Sequence, residues 1–259
     1  MKEKVILISI DGMRPDGFLS CGNPFTEEMM KISSYTLNGS TVFPSVTLPC
    51  HTSMFHSVPP ERHGITTNLY VPFARPLNGL CEQLKLFRKT SAMYYGWEPL
   101  RDVARPESLK FAAYLNAYME DHTDDSLTDM ALERIRKSKP DFVFLYMVET
   151  DEKGGHDHGW MSPEYLDCIS CAIENVKRVY EEFGDEYTIV VTADHGGHDR
   201  CHGTHAPEDM TIPMFYIGKN FEQGKVLEGI SILDIAPTIA DVMHVMPAPE
   251  WEGRSLVNK

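Results

Sequence analysis

Val5-Ile6-Leu7-Ile8-Ser9-Ile10-Asp11-Gly12 is the stretch that decides the fold. Its first six residues are a near-continuous β-branched run, which suits a strand buried on both faces, as in a parallel sheet. The run stops at Asp11-Gly12, a turn signal at the carboxyl end of the strand. Two other stretches read the same way: Phe142 to Met147, and Tyr187 to Thr192. Each is followed at once by sequence rich in Asp, Gly or His. A fourth apolar stretch, Ile212 to Ile217, comes after Pro207.

Helical patterns lie between these runs. Ser126 to Lys137 places Leu127, Met130, Ala131 and Ile135 at helical spacing and ends on basic residues, which suit a helix C-terminus. Ser162-Pro163-Glu164 supplies a cap and a first-turn proline for a helix running to about Phe183. Leu233 to Met243 reads as a late helix. Strands alternating with helices predict an α/β fold: a mostly parallel central sheet with helices on both faces. The chain of 259 residues reads as one domain, 1–259. The less regular, aromatic stretch 69–115 reads as a small cap or insert within it, its Tyr70, Phe73, Tyr94, Tyr95 and Trp97 forming the core of that cap. No repeat or low-complexity segment interrupts the chain.

Charge narrows the function. Lys and Arg number 24 against 38 Asp and Glu, a formal net charge of −14. Long-range attraction to nucleic acid or to an anionic membrane is therefore not expected. An acidic protein that handles an anionic substrate must neutralise it locally, and bound cations would do so while discharging clustered carboxylates. The apolar run after Met1-Lys2-Glu3-Lys4 is too short for a signal peptide, and no run approaches the roughly 18 residues of a membrane span. The six cysteines are scattered, so the expected setting is cytoplasmic, with reduced thiols. Cys168 and Cys171 form a CxxC on a predicted helix and read as packing residues; Cys201, beside His202, reads at most as an adventitious ligand. The acidic run Asp121 to Asp125 reads as a solvated helix cap.

The chemistry concentrates at strand ends, where open α/β sheets bind ligands. Asp11 ends the first strand, Asp151 and His156 follow the second, and Asp194-His195 follow the third, with His202 and His205 shortly after. Singly, each is an ordinary turn or surface residue. Together, carboxylates and imidazoles without clustered thiolates suit zinc or manganese better than calcium. A second clue is Phe43-Pro44-Ser45-Val46-Thr47-Leu48-Pro49-Cys50-His51, a loop opening a helix near Thr47. A hydroxyl there sits in positive potential beside unbonded N–H groups. The bland alternative is that Thr47 is only an N-cap.

In order and spacing, these segments resemble the alkaline phosphatase superfamily, and within it the type I phosphodiesterase/nucleotide pyrophosphatase branch. The matching motifs are Ile8 to Arg14, Phe43 to Pro49, Pro59 to Ile65, Thr150-Asp151 through His156 to Gly159, Thr192 to His198, and His202-Gly203 before Ile212-Pro213. The resemblance implies an alkaline-phosphatase-like fold and two divalent metal ions, most simply zinc, with manganese as the other choice. Asp151, His156 and His202 would hold one ion. Asp11, Asp194 and His195 would hold the other, with Thr47 coordinating as the nucleophile. Two such ions can clamp the attacking and leaving oxygens of an in-line displacement. The implied activity is hydrolysis of a small phosphate ester or nucleotide-like substrate through a phosphothreonine.

Three departures from the family pattern bear on this. Asp151 and His156 are five residues apart where the family has four; a one-residue insertion at the Gly154-Gly155 pair is one account, and Glu152 as the ligand is the other. Three residues after Thr47, the branch is expected to carry an Asn that contacts a phosphate oxygen, and this chain has Cys50, a weak donor. That contact would weaken, or pass to a backbone N–H, to His51 or to Arg14. Third, His202 and His205 both follow the last motif. The His-Gly pair favours His202, leaving His198 and His205 as outer or substrate-side residues. A phosphomonoesterase, phosphomutase or phosphonate hydrolase of the same superfamily is the alternative activity. A non-catalytic, metal-stabilised domain is the alternative of another class.

Overall fold

The computed structural model describes residues 3–73 and 75–257. Among the described residues, seven strands form one sheet: β1 (Val5–Ile10), β2 (Ser34–Ser40), β3 (Ser91–Tyr95), β4 (Phe111–Tyr114), β5 (Phe142–Met147), β6 (Thr188–Thr192) and β7 (Thr211–Ile217). Their order is β2-β7-β6-β1-β5-β3-β4. β1 lies at the centre, parallel to β5 on one side and to β6 on the other. β3 and β4 extend the parallel part. β7 runs antiparallel to both β6 and β2, so only this strand opposes the rest. Every residue of β1, β5 and β6 is buried, as a sheet covered on both faces requires.

The helices are α1 (Pro15–Ser20), α2 (Phe25–Ile32), α3 (Thr47–His56), α4 (Pro60–His63), α5 (Leu80–Leu86), α6 (Thr123–Ser138), α7 (Pro163–Phe183), α8 (Pro207–Met210) and α9 (Ile235–Val242). α7 packs with α1, α2 and α6, whereas α3 packs with α4, α5 and α9, giving one helical layer on each face of the sheet. α7 opens as expected: Ser162 caps it by accepting from the Tyr165 N–H, with Pro163 in the first turn. Among the described residues, no helix is long and apolar enough to cross a membrane.

The stretch 69–115 is corrected in part. Its second half is not a cap, because β3 and β4 lie there and pair into the main sheet. Tyr94 and Tyr95 belong to the central core rather than to a core of their own. In the coil before α5, Leu69, Tyr70 and Val71 are exposed, whereas Phe73 packs against His56. The acidic run is also corrected, since Asp124 is 4% exposed. Of the CxxC pair, Cys168 is half-buried and packs against Gly154, while Cys171 is exposed.

Candidate metal centre and nucleophile

The parallel strands β1 and β5, together with β6, deliver the carboxylates to one edge. Asp11 leaves β1, Asp194 follows β6, and Asp151 follows β5 in a π-helical turn, Thr150–His156. Gly12 makes their approach possible. It has φ +66, and a Cβ there would lie 2.9 Å from Asp151 Oδ1. Its N–H donates to Asp194 Oδ1 at 3.2 Å, and its carbonyl accepts from Trp160 Nε1 and the Tyr165 hydroxyl at 2.9 and 2.8 Å.

All three carboxylates are buried, and each carries an oxygen without a hydrogen-bond partner: Asp11 Oδ1, Asp151 Oδ1 and Asp194 Oδ2. Burial, together with the neighbouring Asp194 and Asp151, raises the Asp11 carboxyl well above its ordinary range. Burial and Asp151 raise Asp194 to about 7. Burial also opposes ionisation of Asp151, but His156, His195 and His202 outweigh it and hold this carboxyl below its ordinary value.

The imidazoles share one arrangement. Each of His156, His195 and His202 points Nδ1 at a backbone carbonyl, that of Arg200, Gly196 and Ser45 respectively, at 2.8 to 3.0 Å. An Nδ1–H that donates to a carbonyl leaves Nε2 as a lone pair. Nε2 of His195 lies 3.3 Å from Asp11 Oδ1 and 3.4 Å from Asp194 Oδ2. Nε2 of His156 lies 3.4 Å from Asp151 Oδ2, and that of His202 lies 3.9 Å from Asp151 Oδ1. Asp151 raises His156 to about 9, whereas burial lowers His202 to about 4. Asp151, His195 and His202 can converge on a cation, as can Asp11, Asp194 and His195. Unpartnered buried carboxylate oxygens facing imidazole lone pairs are the donor set that a divalent metal completes.

Thr47 is the first residue of α3 rather than its cap; Val46 takes the cap position, and no side chain caps the helix. The Thr47 hydroxyl lies 3.3 Å from His195 Nε2, at the rim of the Asp11–Asp194 group. The five-residue spacing from Asp151 to His156 is absorbed by the π-helical turn, whose wider loop keeps both side chains together. Gly154 and Gly155 serve close packing: Cβ atoms there would lie 2.9 Å from Tyr165 Cα and 2.6 Å from Trp160 Cζ2. Glu152 accepts from the Tyr118 hydroxyl instead.

Of the four residues expected near substrate, Cys50 and His51 are fully buried, Arg14 is held in an ion pair, and His205 is exposed. Cys50 is fully buried, its thiol against Thr41 Oγ1 and the carbonyls of Val42 and Pro44, and burial pushes its pKa up. His51 is also fully buried. Its Nδ1 donates to the Thr47 carbonyl at 2.8 Å, its Nε2 meets Ser9 Oγ at 3.0 Å, and burial lowers it to about 3. It therefore braces the start of α3, close to Asp194 Oδ2 at 3.4 Å. Arg14 is engaged by Asp16 and the Gly197 carbonyl. His205 is exposed and stacks on Phe43 at 3.7 Å. Periodicity could not separate these from site-facing residues, because a helix start points neighbouring side chains in different directions.

Sequence reading missed two residues. Asn68 Oδ1 accepts from the Leu48 N–H at 3.0 Å, which fixes an amide one residue from Thr47. Trp160 has its ring 5.3 Å from that of His156 and 5.9 Å from that of His202. Neither stands in a spacing pattern that marks it.

Comparisons with known proteins agree with this architecture. Residues 89–247, more than half the chain, match the Metalloenzyme superfamily, and residues 5–76 match the type I phosphodiesterase/nucleotide pyrophosphatase family. A 2,3-bisphosphoglycerate-independent phosphoglycerate mutase of Clostridioides difficile is 29% identical over 51% of this chain and 27% of its own length. Mouse ectonucleotide pyrophosphatase/phosphodiesterase family member 1 is 24% identical over 74% of this chain and 24% of its own. The chain thus spans about a quarter of the length of these curated relatives. Human ectonucleotide pyrophosphatase/phosphodiesterase 5 superposes with a TM-score of 0.82 over 97% of each chain at 14% identity. A phosphonate monoester hydrolase of Silicibacter pomeroyi superposes with 0.77 over 98% of this chain and 76% of its own, at 15% identity. The chain belongs to the Metalloenzyme superfamily, with the alkaline-phosphatase-like fold and, in its first segment, the type I phosphodiesterase/nucleotide pyrophosphatase pattern.

Proposed function

We propose that this protein is a divalent-metal-dependent hydrolase of small phosphate esters, with Thr47 as its nucleophile. The observation that carries the reading is the set of three buried carboxylates, each with an unpartnered oxygen, facing three imidazoles whose other nitrogen is tied to a backbone carbonyl. Asp151, His156 and His202 would hold one cation; Asp11, Asp194 and His195, with the Thr47 hydroxyl, would hold the other. Zinc fits these N/O donors, as does manganese. When bound, the cations supply Lewis acidity that favours the Thr47 alkoxide and neutralises the phosphoryl group.

The remaining work falls to the chain. The N-terminal end of α3 would offer its positive dipole end to a phosphate oxygen; the Leu48 N–H is taken by Asn68, residue 49 is proline, and the Cys50 N–H donates to the Val46 carbonyl. Asn68, held by the Leu48 N–H, offers an amide beside it. His51 holds the Thr47 carbonyl, and so the first turn of α3, in place. The Thr47 oxygen forms a bond to phosphorus as the ester P–O bond breaks; water then cleaves the phosphothreonine. One structural relative is an inactive threonine-to-alanine variant of murine ectonucleotide pyrophosphatase/phosphodiesterase 5 in complex with AMP, which supports this assignment by analogy.

The test is Thr47→Ala, assayed on p-nitrophenyl phosphate mono- and diesters alongside metal content. The expected result is a fall in kcat on the order of 10³-fold or more with the metal retained. Full turnover with full metal would refute the nucleophile. The match to phosphoglycerate mutases favours a second reading, in which the phosphoryl group leaves Thr47 for an acceptor alcohol rather than for water. Inorganic phosphate released without an acceptor supports the hydrolase; transfer that depends on a phosphorylated hydroxy acid supports the mutase.

A further inference from the structure

We propose that Asp124 is a positioning residue that seats the turn carrying Asp151 and His156. The inference rests on the reading above, in which those two residues hold a cation. Asp124 is the second residue of α6 and is 4% exposed. Its Oδ1 accepts from the Val148 N–H at 2.9 Å, and its Oδ2 from the Glu149 N–H at 3.1 Å. Glu149 returns the contact: its Oε1 accepts from the Thr123 N–H at 2.9 Å. Four residues thus form a reciprocal clasp between the start of α6 and the exit of β5.

The clasp closes on the entry to the π-helical turn. Glu152 N–H donates to the Val148 carbonyl at 3.1 Å, so Val148 is the residue from which the turn springs. On the outer side, the Tyr118 hydroxyl grips Glu152 at 3.2 Å. There is no slack beneath: a Cβ on Gly96 would lie 2.7 Å from Val148 Cγ1 and 3.1 Å from Thr123 Cγ2.

A buried carboxylate is costly unless its oxygens accept hydrogen bonds. Here two backbone donors and the positive end of α6 meet it. Two-point acceptance by a rigid group fixes the distance and the rotation of the turn relative to α6. An amide in its place would set its own N–H groups against a backbone donor. The Asp11–Asp194 group has a different foundation, since it is anchored by the ladders of β1 with β6 and by Gly12. Loosening the clasp should therefore affect one cation and spare the other.

The experiment uses the zinc-loaded protein, dialysed against graded chelator, with bound zinc counted and kcat and KM measured at limiting and excess zinc. Wild type should hold two equivalents. Asp124→Asn should release one of them on the order of 10-fold more readily and keep the other as wild type does. Its activity should fall at limiting zinc and recover with excess zinc, a rescue that general destabilisation would not give. If this variant does not fold, Glu149→Gln, which weakens the return contact to the Thr123 N–H and the contact of Lys153 Nζ within the turn, should show the same one-sided loss. Two equivalents held as firmly as in wild type, or both lost together from a folded variant, would overturn the inference. A wild-type protein that binds no zinc or manganese would instead overturn the metal reading beneath it.

Discussion

The imidazoles of His195 and His202 stack with centroids 3.9 Å apart and planes 14° apart. His195 faces Asp11 and Asp194, while His202 faces Asp151. The stack is therefore the seam between two donor groups, and His195 stands in both. Substitutions should divide accordingly. His156→Ala should weaken one bound equivalent by about 10–100-fold and leave the other. His195→Ala should weaken both, because it removes a donor from one group and the stacked wall from the other. Metal titration followed by calorimetry distinguishes the two patterns, and equal one-site losses in both variants would contradict the shared seam.

The protonation of the centre sets a pH dependence whose sign differs with and without metal. Asp11 and Asp194 have raised carboxyl pKa values, that of Asp194 at about 7, so the folded chain holds protons the unfolded chain would release. The contribution of Asp194 to stability is complete below about pH 4 and is lost as pH rises through about 7, and that of Asp11 is lost in the same direction as pH rises through its raised value. Cation uptake needs those protons gone, and it needs His156, at about 9, deprotonated as well. Affinity should climb from about pH 6 to about pH 9, with protons released on binding. The Tm of metal-free protein should fall over this range while that of zinc-loaded protein holds or rises. A gap between the two that stays constant with pH would count against ligation by these groups.

The sequence displays the middle of this fold better than its margins. β1, β5 and β6 announce themselves because both faces are covered, which demands unbroken apolar runs. β2, Ser34–Ser40, is a polar edge strand with mixed exposure, and β4 has only four residues, so neither carries enough apolar pattern to stand out. β3 is fully buried but short, and its tyrosines suggested a separate aromatic unit. For the site, ordered Asp and His residues at strand ends marked the candidate ligands. Side-chain direction was not legible. Nothing in the order Thr47, Cys50, His51 says that Cys50 turns into the core while His51 sits beneath the start of α3 against Asp194, because that depends on where α3 lies against β1.

Cys50 offers a check on that distinction. Its thiol points into the core, toward Thr41 and two carbonyls, rather than toward a substrate. Cys50→Ala should change kcat/KM by less than about 3-fold while costing about 1 kcal/mol of stability from lost packing. Cys50→Asn should not create an oxyanion contact; it should destabilise the protein by burying an amide. A gain in diesterase activity in Cys50→Asn would show that the side chain reaches the substrate after all.

Trp160 supplies the most demanding prediction, because it packs between two glycines that frame the centre. Cβ atoms on Gly155 and Gly197 would lie 2.6 Å and 2.2 Å from its ring atoms. Its indole N–H donates to the carbonyl of Gly12, the residue that lets Asp151 approach Asp194. A methyl group at residue 155 must therefore displace either the ring or the π-helical turn, and both lead to His156. Gly155→Ala should cost about 1–3 kcal/mol by overpacking. It should also reduce metal affinity more than Cys50→Ala does, at matched stability. Pairing Gly155→Ala with Trp160→Phe, which shrinks the ring, should restore part of both losses. The two effects are separable: the smaller ring relieves the clash but gives up the hydrogen bond to Gly12. If metal affinity recovers only as far as stability does, the indole acts through packing alone. If stability recovers while affinity does not, the bond to Gly12 is what holds Asp151 in register with Asp194.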